Sequence, residues 1–290
     1  MNQNATLIYR KYLFKGFYCF KKIKSIITGR KINDLEYYSS FFLFLKHFQD
    51  EFYYFMGNKK IFYDPLKSAI GYRIYLDGTF EKEELNLCSK YIKHDSIVLD
   101  IGANIGTHSV FFSNIAIDGV VFSFEPSKDT FGLLLNNVKS SPNIIPLNIA
   151  LSDRSELLSF FECEDNALSG LKDTLRSPVK NKTQVICLKG DSLVSDLNLT
   201  KIDFIKIDVE GLEEQVLKGL EKTICRNKPI IFCEIFKGKK SNLSPESTIN
   251  YIIRLGYDAY VMTAKGLSKF TSHSDSESNY LFLPDINVKN

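Results

Sequence analysis

The sequence lacks the cysteine patterns that hold zinc or a disulfide framework. Its six cysteines are scattered, with no Cys-x-x-Cys pair, which indicates buried thiols in a reducing compartment. A strong charge imbalance is also missing: a net charge of +3 gives no general case for nucleic-acid binding. No apolar run is long enough to span a bilayer, and Arg10, Lys11 and Lys15 interrupt the N-terminus before a secretory core forms. We therefore expect a cytoplasmic protein without a nucleic-acid partner.

The first 60 residues differ in composition from the rest of the chain. Residues 1–33 contain eight basic residues and no acidic one, and residues 35–55 are dense in Phe and Tyr. We predict an N-terminal helical extension over residues 1–60, whose aromatic side chains pack while its basic face is solvated. The alternative is peripheral contact with an anionic membrane surface or a glycan assembly. Residues 61–290 would then form the catalytic domain.

Short apolar runs alternate with helical patterns along this second part. Strands are predicted around residues 61–63, 70–76, 97–101, 120–124, 143–150, 157–163, 183–188, 204–208, 229–236, 257–262 and 280–283. Alternating strands and helices predict an α/β fold with a mostly parallel sheet that is covered on both faces.

One stretch, Ser96 to Gly106, has the form of a cofactor site. The buried run Ile97–Ile101 predicts a parallel strand, Gly102 and Gly106 allow a tight turn, and a helical pattern follows. Open α/β sheets bind ligands at the carboxyl ends of such strands. The stretch therefore predicts a strand, glycine loop and helix that bind a nucleotide-like cofactor.

An acid after the next strand narrows the cofactor class. Glu125 follows Gly106 by 19 residues, the spacing at which an acid accepts the hydroxyl protons of an adenosine ribose. A dinucleotide and S-adenosylmethionine both remain open at this point. The loop lacks the Gly-x-Gly-x-x-Gly spacing, and Asp100 would repel a pyrophosphate but attract a sulfonium. The residues therefore favour S-adenosylmethionine.

Four motifs in order carry a resemblance to a known family. The chain reads Asp100-Ile-Gly-Ala-Asn-Ile-Gly106, Phe124-Glu-Pro126, Asn148-Ile-Ala-Leu-Ser152 and Lys206-Ile-Asp-Val-Glu-Gly211. This combination resembles the FkbM family of S-adenosylmethionine-dependent methyltransferases. The resemblance implies a Rossmann-like, doubly wound sheet of seven strands, mostly parallel, with an antiparallel strand near the C-terminal end. It also implies O-methylation of a sugar or secondary-metabolite hydroxyl.

The resemblance also implies which residues bind the cofactor. The methionine part would lie on the glycine loop, the ribose against Glu125, and the adenine between two walls. The residues implied are Asp100, Gly102, Asn104, Gly106, Glu125, Pro126, Ser127, Asn148, Ala150 and Ser152. Asp208 would face the sulfonium and the acceptor. No metal site is assigned.

Carboxylates at strand ends are the candidates for proton transfer. Asp208 is the first choice and Glu210 the second, although Glu210 could equally be an acid of a first helical turn that the helix dipole stabilises. Glu234 ends the next predicted strand and could orient the acceptor, or pair with a lysine. His108 lies near enough to act as a base, but such a histidine more often packs in its helix. The polar pair Ser169-Gly170 is a further candidate for acceptor contact.

The predicted function is transfer of a methyl group to a hydroxyl of a glycan or small-molecule acceptor. Two alternatives are a methyltransferase-fold scaffold in a glycan assembly and an NAD-type oxidoreductase. The intact motif residues disfavour the first. The absent third glycine and the Asp208-Val-Glu210 motif disfavour the second.

Overall fold

The structure is a computed structural model that describes residues 12–17, 41, 52–65, 68–236, 245–263, 266–274 and 278–285. Contacts divide the chain into two compact units, Met1–Lys82 and Glu83–Asn290. Most of the predicted N-terminal extension lies outside the described residues, so its role stays a prediction. Where it is described, residues 12–17 are helical.

The first unit contains a β-hairpin and a helix. Strands β1 (Phe52–Met56) and β2 (Lys59–Tyr63) pair antiparallel, with Phe52 opposite Tyr63. Helix α1 (Ala69–Asp77) follows. Two local predictions are wrong here, since residues 52–56 form a strand instead of a helix and residues 70–76 a helix instead of a strand.

Capping explains the second error. The Ser68 hydroxyl accepts a hydrogen bond from the Gly71 N–H at 3.1 Å, which satisfies one of the free N–H groups at the helix start. Gly78 then ends the helix in the left-handed conformation, with φ 72°, as glycine does at helix C-termini. These local bonds decide the structure of an apolar run whose pattern suits a strand equally well.

The second unit is built on an eight-stranded sheet. Its strands are, in chain order, β3 (Ile97–Ile101), β4 (Val120–Phe124), β5 (Ile144–Leu147), β9 (Phe204–Ile207), β10 (Ile230–Glu234), β11 (Tyr257–Thr263), β12 (Gly266–Lys269) and β13 (Asn279–Pro284). The spatial order is β12-β11-β13-β10-β9-β3-β4-β5. From β10 to β5 every pairing is parallel, whereas β13 is antiparallel to both β10 and β11. The predicted α/β class and antiparallel strand are confirmed, and the short edge strand β12 extends the seven predicted strands to eight.

Helices accompany this sheet, and their apolar faces complete the core. They are α2 (Lys82–Cys88), α3 (Thr107–Ile115), α4 (Lys128–Val138), α5 (Gly190–Asp196), α6 (Glu213–Gly219), α7 (Glu221–Asn227) and α8 (Pro245–Arg254). The residues of β9 are buried throughout, as expected of a central parallel strand. None of the described helices combines the length and apolar character needed to cross a membrane.

A second sheet extends from the carboxyl end of the first. It contains β6 (Ala150–Ser152), β7 (Glu156–Cys163) and β8 (Val179–Lys189), in the order β6-β8-β7. The run predicted as one strand over residues 143–150 therefore divides between two sheets. Asn148 lies at the break, where its amide donates to the carbonyls of Glu125 and Pro126 at 2.8 and 3.0 Å. Residues 164–178, which join β7 to β8, include a 3-10 turn at Asn166–Leu168.

Candidate active site

The glycine loop after β3 reaches the loop that follows β9. Gly102 and Gly106 have φ values of 81° and 87°, a region that side chains with a Cβ rarely adopt. A Cβ on Gly102 would lie 1.8 Å from the carbonyl oxygen of Asp208. The Asp208 N–H also donates to the Ile101 carbonyl at 2.9 Å. Glycine at position 102 therefore lets the two loops touch.

Glu125 lies at the carboxyl end of β4 and is held by this loop. Its Oε2 accepts from the Asn104 N–H at 3.0 Å, and its Oε1 accepts from the Ser127 N–H at 2.8 Å. Burial raises the pKa of Glu125 to about 7, against the opposing effect of these two N–H donors. Each carboxylate oxygen keeps a lone-pair position for a further donor. Glu125 can therefore accept hydrogen bonds from two hydroxyl groups of a ligand and keep its two hydrogen bonds from backbone N–H groups.

The buried lysine of β9, Lys206, contacts the glycine loop and two acids, Asp100 of β3 and Asp208 just after β9. The ammonium of Lys206 lies 3.2 Å from the Gly102 carbonyl, 3.3 Å from Asp208 Oδ2 and 3.7 Å from Asp100 Oδ1. The Ser109 hydroxyl donates to the other oxygen of Asp100. Burial raises the pKa of Asp100, and Lys206 and Ser109 oppose that shift. Lys206 therefore compensates one fully buried acid and one partly exposed acid.

Four acids lie near the carboxyl ends of β9 and β10: Asp208, Glu210, Glu213 and Glu234. Burial, followed by repulsion from Asp208, raises the pKa of both Glu210 and Glu234. Burial also raises the pKa of Glu213 to about 7. Ser278 donates to Glu234 at 3.1 Å. The pKa values of all three glutamates in this cluster are thus raised, and burial is the largest cause in each case.

One guanidinium reaches this cluster from the segment between β7 and β8. Arg176 Nη1 donates to Glu210 Oε2, and the guanidinium carbon lies 4.2 Å from the centroid of the Phe236 ring. Glu210 itself has φ 56°, a strained value for a residue with a side chain. No pattern in the sequence predicted Arg176 or Phe236, because both belong to loops that meet only in the folded chain.

These elements enclose a cavity of about 620 Å³, including its open mouth. Predicted residues that line it are Gly102, Asn104, Glu125, Pro126, Ala150, Ser169, Gly170, Asp208 and Glu210. Further walls come from residues that were not predicted, among them Ile149, Leu151, Phe160 and Asn166. The cavity therefore combines an apolar wall from β6 and β7 with an acidic wall from the β9 loop.

Other predicted residues lie outside the lining of this cavity. Ser127 caps α4 by accepting from the Thr130 N–H at 3.4 Å, and Asn148 braces the backbone after β4. Ser152 donates to Asp153 at 3.1 Å. The remaining residues outside the lining are Asp100, Gly106, His108 and Glu234.

His108 lies within the helix that follows the glycine loop. Its ring packs 5.7 Å from the ring of Phe112. Burial lowers the pKa of His108 well below its usual range, so the imidazole is neutral at physiological pH. Among the residues that the structure describes, no group of three or more His, Cys, Asp or Glu side chains could hold a metal ion.

The part of the chain that forms this cavity matches a known protein family. Residues 100–259 match the methyltransferase FkbM domain. The chain is 33% identical over 159 residues to the hexuronic acid methyltransferase AglP of Haloferax volcanii, a match that covers 54% of this chain and 63% of that protein. It is 23% identical over 150 residues to the 2-O-methyltransferase NoeI of Sinorhizobium fredii, covering 47% of this chain and 62% of that protein. The matches thus span less than two thirds of either relative.

A solved structure, the methyltransferase FkbM from Methylobacillus flagellatus, superposes with a TM-score of 0.48 at 14% sequence identity. That superposition covers 96% of this chain and 60% of the other.

Proposed function

Because the chain belongs to the methyltransferase FkbM family, whose cofactor is S-adenosylmethionine, we propose that it methylates a hydroxyl group of a sugar. The observation that carries this proposal is the cavity at the carboxyl ends of β3, β4 and β9, where Glu125 and Asp208 both line the wall. Two relatives support it, because one is a hexuronic acid methyltransferase and the other is a 2-O-methyltransferase.

The residues that line the cavity suit S-adenosylmethionine. Glu125 would hold the ribose, because each of its oxygens keeps a lone-pair position beside an existing backbone N–H bond. Ile149, Leu151 and Phe160 offer an apolar wall for the adenine. The acidic wall suits a cationic sulfonium and would repel a pyrophosphate. When bound, S-adenosylmethionine supplies an activated methyl group.

The acids of the loop after β9 would bind the hydroxyl group of the acceptor and take its proton. Asp208 lines the cavity and lies 3.3 Å from the Lys206 ammonium, which holds its side chain in place by hydrogen bond and charge. An ionised carboxylate can accept the proton that the acceptor hydroxyl loses. Glu210 lines the cavity and would orient the acceptor, and the segment that carries Ser169 and Gly170 would help to enclose the reacting groups. Glu234 lies outside the lining and would act through its interaction with Asp208.

Calorimetry tests the cofactor site. We expect the wild-type protein to bind S-adenosylmethionine, and Glu125→Ala to weaken binding tenfold or more, because hydrogen bonds to a charged group contribute about 1.5–3 kcal/mol each. Asp258→Asn is the control, since this acid pairs with Lys269 at 2.9 Å away from the cavity. Equal affinity in wild type and Glu125→Ala would contradict the site.

Measurements of turnover test the role of Asp208. With methyl glycosides as acceptors and S-adenosylhomocysteine formation as the readout, Asp208→Asn should lower kcat by about 100-fold or more, the usual contribution of a general base. Its affinity for S-adenosylmethionine should stay within a few-fold of wild type. Wild-type turnover in Asp208→Asn would remove this residue from the mechanism.

A further inference from the structure

We propose that Arg176 binds an anionic group of the acceptor, so that the sugar methylated here is an acidic sugar. The inference rests on the proposed function, and it adds the substrate class and the residue that selects it. The anionic group is a carboxylate or a phosphate, both of which a guanidinium binds through paired hydrogen bonds.

Two contacts hold the Arg176 side chain beside the cavity. Its guanidinium carbon lies 4.2 Å from the centroid of the Phe236 ring, and Nη1 donates to Glu210. Glu210 lines the cavity. A guanidinium held between a ring and a carboxyl group has lost much of its rotamer freedom before a ligand arrives, so little further ordering is needed on binding.

The guanidinium has donors left over. It carries five N–H groups, and of the residues that the structure describes only Glu210 accepts a hydrogen bond from it. The Arg176 side chain is 29% exposed, so these donors are neither fully solvated nor paired within the described chain. Such a group gains more from an anion than a fully exposed arginine does.

The partner of Arg176 is a crowded acid. Burial, followed by repulsion from Asp208, raises the pKa of Glu210, and Arg176 opposes that shift. An anionic acceptor would use the remaining N–H donors of Arg176 and leave its contact with Glu210 in place.

Anion binding and proton transfer would involve different residues, Arg176 and Asp208. Arg176 does not line the cavity, and it contacts the wall through Glu210. Asp208 lines the cavity and is paired with Lys206. An acidic sugar could therefore place its anion on Arg176 while a neutral hydroxyl approaches Asp208.

Acceptor preference in wild type is the first test. Methyl β-D-glucuronide, glucose 6-phosphate and methyl β-D-glucoside are compared by calorimetry on protein saturated with S-adenosylhomocysteine, and by S-adenosylhomocysteine formation in turnover. We expect at least tenfold tighter binding of one anionic sugar than of the neutral glucoside, in the range of a charge-assisted hydrogen-bond pair. A higher affinity for the glucuronide identifies the anion as a carboxylate, and a higher affinity for the sugar phosphate identifies a phosphate. Equal affinity for all three compounds overturns the proposal.

Two substitutions assign the preference to Arg176. In Arg176→Gln the anionic sugar should bind no more tightly than the glucoside, while the affinity for S-adenosylmethionine is kept. In Arg176→Lys the preference should fall at least threefold, because an ammonium cannot form the paired contact. An unchanged preference in either variant overturns the proposal.

Lys182→Gln is the matched control. Lys182 also lies over a ring, 5.2 Å from the centroid of Phe161, but it does not contact Glu210, so the anion preference should persist. Failure of this inference is distinguishable from failure of the proposed function. A protein that methylates sugars without an anion preference refutes only the role of Arg176. A protein that does not bind S-adenosylmethionine refutes the proposed function itself.

Discussion

Removal of the Lys206 ammonium should destabilise the second unit far more than removal of a surface lysine. Lys206→Met keeps most of the side-chain volume and deletes the charge that lies 3.7 Å from Asp100 Oδ1. The two side chains are only 5% and 0% exposed. At an effective dielectric constant of about 20, a pair at this separation interacts by about 4 kcal/mol. Breaking buried ion pairs by removing one partner costs about 3–5 kcal/mol, and we expect a loss in this range.

Urea unfolding followed by circular dichroism measures the loss. The control is Lys201→Met, because Lys201 also contacts two acids, Asp95 at 2.8 Å and Asp203 at 3.2 Å, but its side chain is 45% exposed. Exposed pairs contribute less than about 1 kcal/mol. If Lys206→Met lost no more stability than Lys201→Met, the argument from burial would be wrong.

The stability lost in Lys206→Met should increase with pH. Burial raises the pKa of Asp100, and loss of Lys206 raises it further. An acid whose pKa is higher in the folded state contributes stability at low pH that disappears as the pH rises through the folded value. Lys206→Met should therefore lose more stability, relative to wild type, at pH 8 than at pH 5. Adding Asp100→Asn to Lys206→Met should recover a large part of the loss at pH 8, and no recovery would contradict the assignment of the penalty to this pair.

Two further predictions concern the cofactor loop. Gly102→Ala should cost about 3 kcal/mol or more and abolish S-adenosylmethionine binding, because its Cβ would meet the Asp208 carbonyl in a left-handed backbone conformation. Gly132→Ala, in the interior of α4 with open space around it, should instead stabilise by about 0.4–1 kcal/mol in the same urea assay, and the reverse order would refute the steric argument. Because burial raises the pKa of Glu125 to about 7, S-adenosylmethionine should bind about tenfold more weakly at pH 6 than at pH 8 by calorimetry, since binding to the ribose hydroxyls needs the ionised form. Glu125→Gln should remove this pH dependence, and a slope that persists in the variant would assign it to another acid.

The sheet was predictable where burial and pattern agree. The runs at residues 97–101, 120–124 and 204–207 are apolar except for one residue each, Asp100, Ser123 and Lys206, and become adjacent parallel strands. The pattern failed at residues 70–76, where a serine cap and a C-terminal glycine form a helix. It failed again at residues 143–150, where Asn148 bonds to the backbone after β4 and the chain passes to another sheet. Both errors occur where local contacts of a few residues decide the path of the chain, and the periodicity of apolar residues does not report such contacts.

The candidate site was predictable in its strand-end residues and not in its loops. Glu125 and Asp208 line one cavity because parallel strands bring their carboxyl ends to the same edge. Arg176 is 34 residues from Glu210 along the chain, and Phe236 follows a different strand. Contacts of that kind depend on the lengths and paths of loops, for which neither residue type nor spacing gives a signal.

Asp100 shows how burial changes an argument made from charge alone. The sequence favours a cationic cofactor because an acid precedes the first glycine of the loop, but the Asp100 side chain is fully buried, lies outside the cavity lining and is compensated by Lys206. Lys206 therefore offsets part of the Asp100 charge, which does not contact the cavity directly. Asp208 is the more exposed partner of that lysine: it is 30% exposed and lines the cavity. The same lysine contacts both acids and the Gly102 carbonyl, so it connects the glycine loop to Asp208, the residue that we propose takes the proton of the acceptor hydroxyl.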